Sequence, residues 1–360
     1  MVLEKILNDK GLNYAIENDF INISKTIFKR DFDDYFVKSN GNEIQPATVD
    51  MGFLLNDFCE FSSGNFSSNY ESVSFMKAIN DYIPKKIQKK IFFLAHELRD
   101  QINKKEILDV LPPYSINQIH LNDRITMNDM IMRVTAKSCL GRIGLTTNHP
   151  FYLYSEQKYE KMKRQFSFTL TNKTSIPWRF KPCEKIVQAI FQPIDINLEP
   201  LYDKSMYGTK TGKFHELTAG NEMTIIRYDE LITQLIENSD NVNDMIMDFD
   251  KRNEILKPFT HTIELSKSKP YHVRNGEHVA VKTREKISLD SKIGLYLDDG
   301  ANAGWVDPGY EGHLFPNPYD KKVKIGDVIA KAYEYYFPSG VQDVYGTKNN
   351  THQNSEKFGL

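Results

Sequence analysis

Apolar residues fall into two textures along the chain. From 116 to 195 they come as short runs rich in Ile, Val, Phe and Thr, broken by Asn, Pro and Lys, and the same texture returns from about 259 to 337. Short β-branched and aromatic runs bounded by turn-formers predict strands and tight connections. Residues 68–105 differ: "YIPKKIQKKIFFLAHELRDQI" spaces its apolar residues three and four apart with cations between, which predicts a helix with a buried stripe and a solvated basic face. "YDELITQLIENSDNVNDMIMDF" (228–249) predicts a second helical region. The opening segment reads as a short helix, then "GNEIQPATVDMGFLL" (41–55) as a turn running into a strand. Residues 200–222 are polar and read as loop, and the polar "YGTKNNTHQNSEKFGL" (345–360) predicts a mobile arm. The chain is thus expected to be mainly β with added helices. An N-terminal β domain (1–195) carries the helical insertion at 68–105, a helical linker covers 196–258, and a C-terminal β domain covers 259–360.

Composition narrows the partners. The chain has 360 residues, enough for two domains, and 40% hydrophobic residues with 12% aromatics support packed cores. Its 46 basic residues nearly balance 48 acidic ones, which argues against a nucleic-acid binder or a polybasic membrane anchor. No apolar run approaches the roughly 18–20 residues that span a bilayer, and the start "MVLEKILNDKGLNYAI" lacks the pattern of a signal peptide. Cys59, Cys139 and Cys183 are odd in number and share no paired spacing, so reduced thiols and a cytoplasmic setting are expected.

The two strand-rich regions resemble each other. "SCLGRIGL" (138–145) aligns without a gap on "SLDSKIGL" (288–295), setting Ser138 over Ser288 and Arg142 over Lys292. "KPCEKIVQAIF" (181–191) follows in the same order as "VKIGDVIAKAY" (323–333), so tandem duplication is the expectation.

Several chemistries fall away. A zinc deaminase needs His-x-Glu and Pro-Cys-x-x-Cys; position 186 is Ile and no His-x-Glu occurs. "GTKTGKF" (208–214) is one residue short of a P-loop and ends in Phe. The histidines show no metal-ligand spacing, so no protein-held metal is expected.

In "AKSCLGRIGL" a hydroxyl residue stands four positions before an Arg, and a backbone amide, a hydroxyl and a planar cationic fork suit phosphate oxygens. "GWVDPGYEGHLF" (304–315) locks an acid into a turn dense in Gly and Pro. With "IQPATVDMG" (44–52) these segments resemble, in order, the dCTP deaminase and dUTPase superfamily, most closely its long two-domain bacterial 2'-deoxycytidine 5'-triphosphate deaminase form. The resemblance covers about two thirds of the chain and implies two tandem dUTPase-like domains, each a distorted jelly roll or β-barrel. It implies that Ser138 and Arg142 position substrate and water, with Lys137, Cys139 and Gly141 lining the phosphate turn. Asp307 would bind the sugar hydroxyl or orient water, Gly309 would let the backbone approach the ligand, and Tyr310 would wall the pocket. Tyr345, Lys348 and Gln353 would belong to an arm closing over the triphosphate. Magnesium would enter bound to that triphosphate, and the site would lie between first-type and second-type domains in a homo-oligomer, a trimer by preference.

One departure matters. Family deaminases carry a general-base Glu a few residues after the Asp turn, where this chain has "HLFPN" (313–317); the first copy has "FTLTN" (168–172), again without an acid. General-base catalysis supplies about 10²–10⁴-fold, which leaves Glu311 as the substitute. Cys139 also replaces the second Ser of the phosphate motif. Three functions stay open: dCTP deamination, dUTP diphosphate hydrolysis, and a non-catalytic nucleotide-binding scaffold.

Overall fold

Met130, Met132, Val134 and Ala136 alternate along the strand Met130–Ala136 and fill one core, as the period-two geometry of a strand requires. The residues between them are covered too. Ile131 packs into a second cluster, and the Arg133 guanidinium carbon lies 4.4 Å from the centroid of the Tyr296 ring. A strand buried on both faces needs a partner layer on each side, and the second half of the chain supplies one of them.

The structure is a computed structural model. It describes residues 5–18, 20–27, 35–38, 49–54, 97, 101, 110–113, 115–121, 124–127, 130–147, 151–154, 167–181, 185–193, 204–239, 241–274, 276–298, 304–318, 320–342, 344–345 and 358–359. Among these, the first β unit is a seven-stranded antiparallel sheet. Its order is Phe151–Tyr154, Met130–Ala136, Lys185–Pro193, Val49–Leu54, Ile116–Leu121, Ser167–Asn172 and Leu145–Thr147. The second unit is built around Tyr207–Arg227. That strand's first half pairs with Lys5–Leu7 and Val328–Tyr336, and its second half with Thr260–Glu264 and Glu277–Thr283. Register shifts between Lys210 and Phe214, Leu217 and Thr218, and Ala219 and Met223 let this one strand turn from one set of partners to the other. Ile293–Leu297 and Trp305–Val306 complete the sheet beside Val328–Tyr336. The architecture is therefore mainly β, in two units with added short helices.

The two units share a core. Ile190 of the first joins Ile6, Tyr296, Trp305, Tyr335, Phe337 and Val341 in one cluster. Trp305 meets Tyr335 and Phe337 edge-on, with centroids 5.5 and 6.3 Å apart.

Three expectations change. The "GTKTGKF" stretch, read as loop, lies within the strand Tyr207–Arg227. Residues 211–216 are exposed, so the stretch leaves no buried stripe to read; 214–216 pair with Val328–Tyr336, while 211–213 fall in a register shift where Gly212 takes φ +79°. The segment 196–258 is accordingly not wholly helical. Its helix Tyr228–Asn238 buries Leu231, Ile232 and Ile236 in the first unit's core instead of bridging two units through solvent. Within 228–249 that helix stops at Asn238, and Asn241 caps a separate helical turn at Val242–Met245. The N-terminal strand Lys5–Leu7 pairs with the second unit, although it falls inside the N-terminal domain as drawn from sequence. Of the helix expected over 68–105, only Glu97 and Gln101 lie within the described residues, both helical. No helix among the described residues is long and apolar enough to cross a membrane.

Trp305→Ala should open a cavity in the shared cluster and cost about 3–5 kcal/mol of stability. Circular dichroism during urea unfolding measures this; a loss under about 1 kcal/mol would mean the units do not depend on that contact.

Candidate functional site

Lys137 is extended and Ser138–Arg142 form a single helical turn before the backbone enters Leu145–Thr147. Lys137 N–H donates to the Ile186 carbonyl (2.9 Å), tying the turn to the neighbouring strand. Its exit is held from elsewhere. The Gly141 carbonyl accepts from Gly144 N–H (3.2 Å), His278 Nε2 (2.8 Å) and Asn317 Nδ2 (3.2 Å). The Ile143 carbonyl accepts from the Tyr228 hydroxyl at 2.8 Å. A carbonyl only accepts, so His278 carries a proton on Nε2. Burial pushes its pKa down to about 4, against the raising effect of the Gly141 bond, and the ring is neutral at neutral pH.

Arg142 is partly buried. Nη1 donates to the Gly359 carbonyl at 2.6 Å, and the guanidinium carbon is 5.7 Å from the Phe358 ring centroid. Phe358 in turn meets Phe315 edge-on at 5.8 Å. Burial lowers the Arg142 pKa, while Tyr310, Cys139 and Tyr345 act in the opposite sense. Arg142 of the first unit and two tyrosines of the second thus fall within one electrostatic neighbourhood of a single chain. A composite site between first-type and second-type domains is the expectation, and Arg142 and these tyrosines come from the two units. Cys139 packs against the core, and burial pushes its thiol up despite the pull of Arg252, Lys137 and Arg142. It is a protonated, weakly donating group and not a nucleophile.

The Asp turn is rigid for a reason the sequence did not show. Asp307 is buried, and Trp305 Nε1 donates to its Oδ1 at 2.8 Å. Tyr310 N–H closes the turn on the Asp307 carbonyl (3.2 Å), and Gly309 N–H reaches the Asp290 carbonyl (3.0 Å). Gly309 has φ +89°, and a Cβ there would collide with Val344 Cγ1. The close approach that demands glycine is made by the chain's own 344–345 segment, where Tyr345 N–H donates to the Pro308 carbonyl (2.9 Å). Tyr310 and Tyr345 have ring centroids 5.7 Å apart, and the Tyr310 hydroxyl donates to the His313 carbonyl. Both are docked, so the described start of the expected mobile arm is held in place.

Glu311 has an ion-pair partner on its own strand pair. It lies on the short strand Glu311–His313 opposite Ser288, and its carboxylate pairs with Lys286 Nζ at 2.9 Å, both side chains nearly half exposed. The stretch where a general base would stand is structural: His313 Nδ1 bonds the Thr283 carbonyl, Phe315 meets Phe358, and Asn317 reaches Gly141. In the first copy, Asn172 bonds the Pro112 and Ile176 carbonyls (2.8 Å each) and accepts from Thr174 N–H and hydroxyl. Lys348 and Gln353 lie outside the described residues, as do residues 44–48 of the Gln-Pro-Ala segment. Among the described residues no cluster of three or more His, Cys, Asp or Glu could hold a metal ion. His278, Asn317, Tyr228 and Phe358 were not singled out from sequence, since each acts through one bond or ring contact with a distant residue.

His278 also sets a pH dependence. Its folded pKa is below the ordinary 6.5, so the unfolded chain binds the extra proton between about 4 and 6.5. Its contribution to stability is full above pH 6.5 and is lost as pH falls toward 4. His278 is only partly buried as a residue, which limits the effect to roughly 1–3 kcal/mol. Unfolding midpoints from pH 7.5 to 4 should show an acid loss that His278→Gln reduces; identical pH profiles for both proteins would contradict this.

No protein-family model matches the chain. A curated relative, the "dCTP deaminase, dUMP-forming" of Nanoarchaeum equitans (strain Kin4-M), is 28% identical over 110 residues, 28% of this chain and 54% of that protein. The chain therefore matches about half the length of this relative. A solved structure, the 2'-deoxycytidine 5'-triphosphate deaminase from Agrobacterium tumefaciens, aligns with a TM-score of 0.53 at 12% identity, over 94% of this chain and 99% of that one. Correspondence nearly from end to end, with the Ser-to-Arg turn and the Asp turn in the same chain order as the motifs they resemble, gives this protein the fold of the dCTP deaminase and dUTPase superfamily.

Proposed function

We propose that the chain binds a deoxypyrimidine nucleoside triphosphate between its two β units and deaminates dCTP to dUTP and ammonia. The observation that carries this reading is that Asn317, just beyond the Asp turn, bonds the carbonyl of Gly141 beside Arg142, while Tyr310 of the Asp turn packs on Tyr345 at the start of the tail. The named relatives, both dCTP deaminases, support the choice of base. Arg142 supplies the planar cation for phosphate oxygens. Its guanidinium has five N–H donors in a planar fork, and Nη1 already holds a backbone oxygen, the Gly359 carbonyl. Ser138 opens the same turn and completes the phosphate-facing edge. Magnesium would arrive with the triphosphate.

Asp307 is the candidate for orienting water or the sugar hydroxyl. Its carboxylate has about four acceptor positions, and the Trp305 indole fixes its orientation through one oxygen. Glu311 contributes less on this reading, because Lys286 holds it on an outer strand pair. A second reading is favoured by one observation: no acid occupies 313–317, and Asn317 is committed to Gly141. That reading is dUTP diphosphate hydrolysis to dUMP and pyrophosphate, with Asp307 orienting the attacking water. Deamination followed by hydrolysis would give dUMP directly from dCTP.

Incubation with dCTP or dUTP, with and without magnesium, and chromatography of the products separates these readings. Ammonia and dUTP from dCTP support deamination; dUMP and pyrophosphate from dUTP alone support the second reading. No turnover of either would leave a nucleotide-binding scaffold. Arg142→Ala should weaken triphosphate binding about 10- to 150-fold by removing a charge-assisted contact of about 1.5–3 kcal/mol. Arg142→Lys should recover only part of it, since a point charge does not reproduce the fork. Asp307→Asn should keep triphosphate affinity within about threefold while turnover drops by about 10²-fold or more. Isothermal titration and initial rates on the same folded samples check both.

A further inference from the structure

The Arg142 turn belongs to the first unit by sequence, yet the side chains that grip its exit come from beyond it. His278 sits on the strand Glu277–Thr283 and Asn317 follows the Asp turn; both donate to the carbonyl of Gly141, the residue immediately before Arg142. With Gly144 N–H this oxygen takes three donors, one more than its two lone pairs accommodate ideally. One backbone bond would already close a turn. The two added side-chain donors hold the turn against the second unit, where Tyr310 and Tyr345 influence Arg142.

We propose that His278 and Asn317 are positioning residues. They fix the Gly141 carbonyl so that Arg142 is presented to a polyphosphate at the boundary of the two units. Neither side chain needs to touch the ligand; each acts through the peptide plane that leads to Arg142. The inference deepens the reading of Arg142 as the phosphate-binding cation and rests on it for its affinity arm.

Full-length variants test it, with inorganic triphosphate as the probe. His278→Phe keeps ring volume and removes the donor; His278→Gln keeps an N–H at similar reach; Asn317→Leu removes the amide. Circular dichroism confirms folding. His278→Phe and Asn317→Leu should each lose roughly 3- to 10-fold in triphosphate affinity, the scale of one net hydrogen bond, and His278→Gln should retain most of it. In an Arg142→Ala background the same substitutions should change affinity less than about twofold, because their effect passes through Arg142. Equal losses in both backgrounds would overturn positioning in favour of a general structural role.

Amide hydrogen exchange of the unliganded protein provides the second arm. Exchange over 138–144 should accelerate in His278→Phe and Asn317→Leu, with little change in Met130–Ala136. Unchanged exchange there would overturn the proposal whatever the ligand proves to be. Should His278→Phe fail to fold, Asn317→Leu and His278→Gln decide by the same two measurements. If Arg142→Ala leaves triphosphate affinity unchanged, the proposed phosphate role of Arg142 falls, and the exchange result alone rules on whether the turn is held.

Discussion

The carbonyl oxygen of Gly141 accepts from Gly144, His278 and Asn317, and the candidate site is arranged around that convergence. An isolated five-residue helical turn has almost no intrinsic stability, because nucleation fixes several residues for very few hydrogen bonds. The turn persists here because it is bonded at entry to Ile186 and at exit to residues from three other elements, Tyr228 included. Leu140 and Ile143 anchor it in the core while Arg142 is left at the margin. Arg142 thus depends for its place on contacts that lie far away in sequence.

The Asp turn obeys a complementary constraint. Trp305 does two things at once: its ring fills the cluster shared by the units, and its indole N–H orients Asp307. The orientation of the acid is therefore coupled to how tightly the units pack. Gly309 adds a further coupling, since the 344–345 segment lies on its backbone where any side chain would collide. The rigidity of this turn is that of a joint between the second unit and its own tail.

Much of this was legible in the residues, for identifiable reasons. The apolar, β-branched runs at 130–136 and 185–193 wrote the strands plainly, because most positions on both faces of each are covered. The Ser-to-Arg and Asp-Pro-Gly segments carried the superfamily resemblance because their chemistry is local. The strand Tyr207–Arg227 was missed where residues 211–216 face solvent, since pairing without burial leaves no hydrophobic period. His278 gave no signal, as a histidine in "GEHVAV" fits a strand whether or not it meets a carbonyl 137 residues away. Glu311 is named from its position in the turn, and its pairing with Lys286 across the Ser288 register could be read only from the structure.

The ladder between Lys5–Leu7 and Tyr207–Thr209 has a consequence in time. Ile6 lies opposite Gly208, so this edge of the second sheet closes only after about 200 further residues have been made, a separation typical of slow, non-local pairing. At ribosomal rates that is an interval of roughly 10–40 s. Throughout it Ile6 and Leu7, both wholly buried at the end, must wait without their partner strand. The nascent chain thus carries Ile6 and Leu7 without their partner strand, and the first unit's core too stays incomplete until Leu231, Ile232 and Ile236 have been made.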